Sequence, residues 1–327
     1  MEVRRCGRSG LMMSPVTLGL MVRDCSPGEA FEGVKDTVVA AVDRGITSID
    51  LATGYGGGAV ESAVGRILLS DVGLRREQLT IGTKGAWADG SRKAIVGFLE
   101  RSLRQLQLEY VDVYYHHAPD DGTPFEETAR ALADLVRQGK TRYVGVSNYS
   151  IDQTLRMSDA CRDAGVMLTV HQPNYHLLNR WIEDGLLDVL GSRGMGTAVF
   201  SPLAQGLLSG DGGAIREGSR AAGTFAAIVD GVPGGEPAYG RYDGDDVAGE
   251  LKSIRRSLGQ LASSRGQTLS QLALQWVLRD PRVTTAIVGM SSPAQVESNA
   301  KAMAGSPLSA DERRTIAGII PPRFGLI

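Results

Sequence analysis

Four residues able to move or steer a proton fall early in the chain: Asp50, Tyr55, Lys84 and His117. Three of them stand at or just past the end of an apolar run: 46–49 leads into Asp50, 79–83 into Lys84, and 111–115 into His116-His117. Tyr55 follows Asp50 closely, in the glycine-rich stretch D-L-A-T-G-Y-G-G-G-A-V-E. A phenol has a reference pKa of about 10, too high for acid–base work at neutral pH. An ammonium a few ångströms away favours the phenolate and lowers that value, and a carboxylate holds the ammonium charged and oriented. The phenol then protonates a developing alkoxide, while an imidazole N–H given to the same oxygen orients and polarises the carbonyl. Such a set reduces carbonyls and needs a hydride donor.

Two rival chemistries fail on context. Gly54, Gly56 and Ala59 fit the loose G-x-G-x-x-A dinucleotide pattern. In a Rossmann fold, however, that fingerprint follows the first strand, with an acidic residue about 20 residues on. Here a strand and a helix come before it, and the next strand ends in Lys84. His116-His117 invites a metal pair. Adjacent strand residues face opposite ways, and no further His or Cys ligand has a fitting spacing, so no metal is expected.

The frame that must bring these side chains together is written in the periodicity. Strand-like runs at 16–20, 48–50, 80–84, 111–116, 143–147, 168–172, 196–200 and 285–289 alternate with helical patterns. The helical patterns cover 29–44, 60–69, 92–106, 126–138, 151–164, 183–192, 269–279 and 293–302. Eight βα units without a dividing linker predict an α/β fold, a single (β/α)8 TIM barrel spanning 1–327. Neighbouring strands lie about 5 Å apart, and their C-terminal ends gather on the face where barrel active sites form. An acid, a phenol, an amine and an imidazole therefore converge. After strand 7 the segment 209–246, rich in Gly, Ala and Pro, reads as a long loop over a cofactor or substrate.

Composition narrows the class. The 327 residues are 42% hydrophobic and carry a net charge of −2, which gives no electrostatic case for nucleic acid or an acidic membrane. Three scattered cysteines in no C-x-x-C pair read as reduced thiols. With no signal-like N-terminus and no membrane-length apolar run, a cytoplasmic protein is expected. Oligomeric state is left open.

Longer phrases extend the pattern: R-C-G-R-S-G-L at 5–11 with Leu18-Gly19, S-I-D-L-A-T-G-Y-G at 48–56, I-G-T-K at 81–84, and V-D-V-Y-Y-H-H-A-P-D at 111–120. Downstream come Q-G-K-T-R-Y-V-G-V-S-N at 138–148, Q-P-N-Y at 172–175, S-P-L-A-Q-G-L-L-S-G at 201–210, and the segment 287–299. On these the chain resembles the aldo-keto reductases over nearly its whole length. W-A-D-G-S-R-K and E-T-A-R-A-L-A-D-L-V-R-Q-G-K point to the branch of potassium-channel β-subunits and bacterial sugar-aldehyde reductases.

The resemblance implies NADP(H) bound without a Rossmann fold, Tyr55 as proton donor, Lys84 and Asp50 as its tuners, and His117 orienting the carbonyl. It makes Ser147, Asn148 and Gln172 the nicotinamide-carboxamide partners and Phe200 the ring against the nicotinamide face. Ser201, Leu203, Gln205, Leu207 and Ser209 become the pyrophosphate loop. Gly289, Ser291, Gln295 and Asn299 fall at the 2′-phosphate and adenine end, with Arg220 a further phosphate ligand. His116, one position early, points into the barrel wall.

Three departures bear on these assignments. Asp211 replaces a common phosphate-contacting lysine, and Ser298 an acidic adenine contact. The segment after strand 1 lacks the usual pocket aromatic, leaving Arg23 and Trp87 as substrate candidates. The implied reaction is reduction of an aldehyde or ketone, including a keto-sugar or sugar nucleotide of deoxysugar biosynthesis. His117 argues against simple C=C reduction, because the family's steroid double-bond reductases carry glutamate there. The alternative is an NADPH-binding regulatory subunit with little turnover. That branch adds an N-terminal inactivation segment, whereas here the barrel motif starts within the first ten residues.

Overall fold

The computed structural model describes residues 1–21, 24–70, 73–229 and 246–321. Eight parallel strands close into a barrel: β1 (Val16–Gly19), β2 (Ser48–Asp50), β3 (Thr80–Gly85), β4 (Val111–His116), β5 (Thr141–Ser147), β6 (Leu168–Gln172), β7 (Gly196–Phe200) and β8 (Val283–Gly289). Each pairs with its successor, and β8 returns to β1 with Ala286 opposite Val16 and Gly289 opposite Gly19. The strands are apolar on both faces because helices cover the outside and side chains fill the inside.

Helices α1 (Glu29–Asp43), α2 (Ala59–Leu69), α3 (Arg92–Leu106), α4 (Phe125–Arg137), α5 (Ile151–Asp163) and α6 (Leu186–Arg193) follow the first six strands in turn. Between β7 and β8 lie α7 (Arg220–Val229), α8 (Val247–Ser264) and α9 (Leu269–Val277), and α10 (Pro293–Lys301) and α11 (Ala310–Ile319) follow β8. Starts and stops are written locally. Ser150 and Thr268 form capping boxes with Gln153 and Gln271, and Gly139 takes φ 72° after α4.

Two apolar layers result. The larger lies between strands and helices and includes Ile49, Ile81, Val64, Leu99 and Leu132. The smaller fills the barrel interior with Val113, Tyr115, Val170, Ala198 and Ile287. An antiparallel hairpin, Arg4–Arg5 with Met12–Met13, adds Cys6, Leu11 and Met13 to that inner cluster. Gly145 makes room for the Tyr115 ring, since a Cβ there would sit 2.6 Å from Tyr115 Cδ1.

The eight strands match the periodicity within a residue or two at their ends. The hairpin, α8 and α11 were not anticipated, and the segment expected as one long irregular loop holds α7 near its middle. The helix expected from 183 begins at Leu186 instead. Glu183 sits in a tight turn, Trp181–Glu183, where its carboxylate accepts from Tyr175, Arg180 and Arg279, and Gly185 at φ 93° then starts the helix. No helix among the described residues is long and apolar enough to cross a membrane.

Candidate active site

The C-terminal strand ends surround a cavity of about 780 Å³ lined by Asp50, Tyr55, Lys84 and His117 together. β2 ends on Asp50, and the turn after it carries Tyr55. Glycines at 56, 57 and 58 take φ of 57°, 65° and 93°, a left-handed run that only glycine adopts cheaply, and it folds the Tyr55 turn over the barrel mouth. Lys84 on β3 is buried, with Nζ 2.5 Å from Asp50 Oδ2 and 2.9 Å from the Leu51 carbonyl. The same ammonium lies 5.0 Å from the centroid of the Tyr55 ring.

Burial opposes the Lys84 ammonium, but Asp50 and Tyr55 outweigh it, so its pKa stands above the usual lysine value. Tyr55 departs from the expectation of a lowered pKa. Burial raises it, Lys84 pulls it down, Asp50 raises it again, and the net direction is upward. The phenol is held in its protonated form, the form a proton donor needs.

His117 follows β4, its N–H bonded to the Gly85 carbonyl at 3.0 Å and its own carbonyl accepting from Asn148 Nδ2 at 2.9 Å. Burial, Lys84 and His116 push its pKa down to about 3, so the imidazole is neutral. The Trp87 ring stands edge-on to it, 4.7 Å between centroids. His116 turns the other way and pairs Nδ1 with the Tyr149 hydroxyl at 2.6 Å, buried behind the strand.

Of the other residues singled out from sequence, Ser147, Asn148, Gln172, Phe200 and Trp87 line the same cavity near the four. Further along its wall lie Ser201, Leu203, Gln205, Ser209 and Arg220, then Gly289, Ser291, Gln295 and Asn299. In the loop after β7, Ser201, Ala204 and Gln205 all hold positive φ, backbone strain of the kind stored at functional sites. Gln205 donates to Ser201 Oγ and accepts from Arg220.

Leu207 does not line the cavity: its side chain is fully buried in the outer core with Leu208. The repeated leucines of G-L-L-S-G anchor the loop that their polar neighbours present. Asp211 bonds back to the Gly213 N–H and does not line the cavity, whereas Ser298 does. Arg23 lies outside the described residues, as do 230–245 of the Gly-rich segment.

Sequence reasoning missed Gly19, Met21, Pro202, Gly206, Ser270, Ile287, Val288 and Met290 on the cavity wall. Strand-end position would have flagged Gly19, Met21 and Met290. Ser270 had a local signal too, since the Thr268 capping box puts it in the first turn of α9.

An eight-stranded parallel barrel with a buried Lys–Asp pair, a phenol and a neutral imidazole at its C-terminal mouth is an oxidoreductase acting on carbonyls. The chain belongs to the aldo/keto reductase family, whose model matches residues 16–321. It is 38% identical to the L-glyceraldehyde 3-phosphate reductase of Escherichia coli K12, covering 95% of this chain and 90% of that protein. It is 34% identical to a putative voltage-gated potassium channel subunit beta of Schizosaccharomyces pombe, covering 92% of this chain and 87% of the other. Among solved structures, the holo form of an aldo-keto reductase from Bacillus halodurans superposes with a TM-score of 0.79 at 27% identity, covering 98% and 96% of the two chains.

Proposed function

We propose that this protein reduces an aldehyde or ketone to the alcohol with NADPH, Tyr55 delivering the proton. The observation that carries the reading is the convergence of Asp50, Lys84, Tyr55 and His117 on one cavity, with Lys84 held 2.5 Å from Asp50 and facing the Tyr55 ring.

The donor set of the cavity fits a nicotinamide dinucleotide. Next to the four residues, Ser147, Asn148 and Gln172 offer the amides and hydroxyl that suit a carboxamide, beside the aromatic wall of Phe200. Along the β7 loop, backbone donors and the Arg220 guanidinium suit a pyrophosphate. Gly210 and Gly289 leave open space where a side chain would intrude. Ser291, beside the Ser292 cap of α10, puts phosphate-compatible donors at a helix N-terminus. When bound, that cofactor supplies the hydride.

The protein's residues do the rest. His117, neutral, donates a hydrogen bond to the carbonyl oxygen and fixes which face of the carbonyl is presented. Tyr55, protonated, gives its proton to the same oxygen as negative charge develops there. Lys84 stabilises the phenolate left behind, and Asp50 keeps Lys84 charged and aimed. The substrate is a small hydroxylated carbonyl compound of the sugar type, a keto-sugar or sugar nucleotide included. Similarity to an L-glyceraldehyde 3-phosphate reductase supports that class. The setting is the cytoplasm, where Cys6, Cys25 and Cys161, all buried and free, remain thiols.

The test is NADPH oxidation against aldehydes, L-glyceraldehyde 3-phosphate and keto-sugar nucleotides, with Tyr55→Phe alongside. Tyr55→Phe is expected to abolish reduction while binding NADPH nearly as the native chain does; near-normal turnover would sink the mechanism. Similarity to the channel subunit supports a second reading, an NADPH-binding regulatory subunit. Tight NADPH binding with no turnover across the whole panel would favour it.

A further inference from the structure

Each carboxylate oxygen of Asp50 has its own partner. Oδ2 takes Lys84 Nζ at 2.5 Å, and Oδ1 accepts Gln172 Nε2 at 2.8 Å. An ionised carboxylate only accepts, so the Gln172 atom facing it is the amide nitrogen. Gln172 ends β6, which stands opposite β2 in an eight-stranded barrel, so this bond crosses the mouth. Its side chain is buried and also contacts the Tyr115 phenol, while its backbone carbonyl accepts Ser147 Oγ at 2.9 Å and Asn148 N at 3.4 Å. One residue thus holds the ion pair from one side and the Ser147-Asn148 corner from the other.

A buried ion pair keeps its geometry only when its remaining lone pairs are satisfied. The terminal torsion of an aspartate is broad and would let the carboxylate turn if Oδ1 had no partner. We propose that Gln172 is a positioning residue for proton transfer, its amide locking Asp50 so that the carboxylate keeps Lys84 aimed at Tyr55. This rests on Tyr55 being the proton donor. The titratable groups around the Asp50–Gln172 pair are Lys84 from β3, Tyr115 from β4, Tyr55 from the turn after β2, and His117 beyond β4.

Two substitutions test the assignment. Gln172→Met keeps length and packing but loses the donor; Gln172→Glu donates to Asp50 only while its carboxyl is protonated. Reduction of 4-nitrobenzaldehyde by NADPH is followed from about pH 5 to about pH 11, with NADPH dissociation constants measured in parallel. Gln172→Met is expected to lower kcat about tenfold and move the basic limb of the kcat profile upward, because a phenol without an aimed ammonium is a weaker acid. Gln172→Glu regains kcat toward the acid end and loses it as pH rises. The proposal is overturned if Gln172→Met alters only the NADPH dissociation constant, with kcat and its basic limb unmoved. Should Gln172→Met not fold, absence of the acid-side recovery in Gln172→Glu overturns it. Turnover by Tyr55→Phe would sink the donor assignment itself. An inactive Tyr55→Phe beside unaffected Gln172 variants sinks the Gln172 role alone.

Discussion

Lys84 and Asp50 are both nearly sealed from water, so each is tolerable only with the other present. Removing one leaves an uncompensated buried charge, which costs about 3–5 kcal/mol. Lys84→Met is therefore expected to lose both carbonyl reduction and that much stability in urea unfolding, and adding Asp50→Asn restores stability but not activity. His117 makes a second prediction at this scale. With its pKa pushed down to about 3 by burial, Lys84 and His116, the imidazole stays neutral through the working pH range. Its ring resonances in an NMR titration should not move between about pH 5 and about pH 8, where an ordinary histidine of pKa about 6.5 would titrate fully.

Helix α2 starts directly after the Tyr55 turn and lies so close to the end of α3 that a Cβ on Gly65 would meet the Leu106 carbonyl at 2.6 Å. That obstacle is backbone and cannot rotate aside. Gly65→Ala is expected to push α2 off α3, destabilising the fold by about 1–3 kcal/mol. Because α2 carries the turn, kcat should fall further than NADPH affinity; kinetics and binding on the one variant check this, and an unchanged kcat would show that turn and helix are uncoupled. The glycines beside Tyr55 mimicked a phosphate loop in the sequence, and in the fold they turn the chain. The donors proposed for a dinucleotide lie downstream, after β7 and before α10, where Ser201, Ala204 and Gln205 take left-handed backbone although none of the three is glycine.

Across the whole molecule, buried histidines link stability to pH. Burial lowers His116 to about 4 and His171 to about 3, and both are almost fully enclosed. Below the unfolded value of about 6.5 the unfolded chain takes up protons that the folded chain refuses. Stability is thus full above about pH 6.5 and falls as pH drops toward 4, by up to about 1.4 kcal/mol per pH unit for each histidine. Melting temperatures measured at pH 7, 5.5 and 4.5 should decline, and His171→Phe should decline less steeply. Equal slopes for the two proteins would rule His171 out as a contributor.

Residue order alone determined the alternation of strands and helices, since periodicity, caps and glycine stops act within a few residues. It also placed Asp50, Lys84 and His117 at successive strand ends, and barrel closure turns that spacing into proximity. What depends on burial or on distant partners was decided only by the tertiary structure. The upward shift of Tyr55 comes from the walls around it outweighing Lys84, a balance no linear pattern encodes. Leu207 and Ser209 sit in one loop phrase, yet one is core and the other cavity wall, because the loop's curvature, with Ser201, Ala204, Gln205 and Gly206 all at positive φ, chooses which side faces in. The bond from Gln172 to Asp50 exists because an eight-stranded barrel sets its second and sixth strands face to face across the mouth.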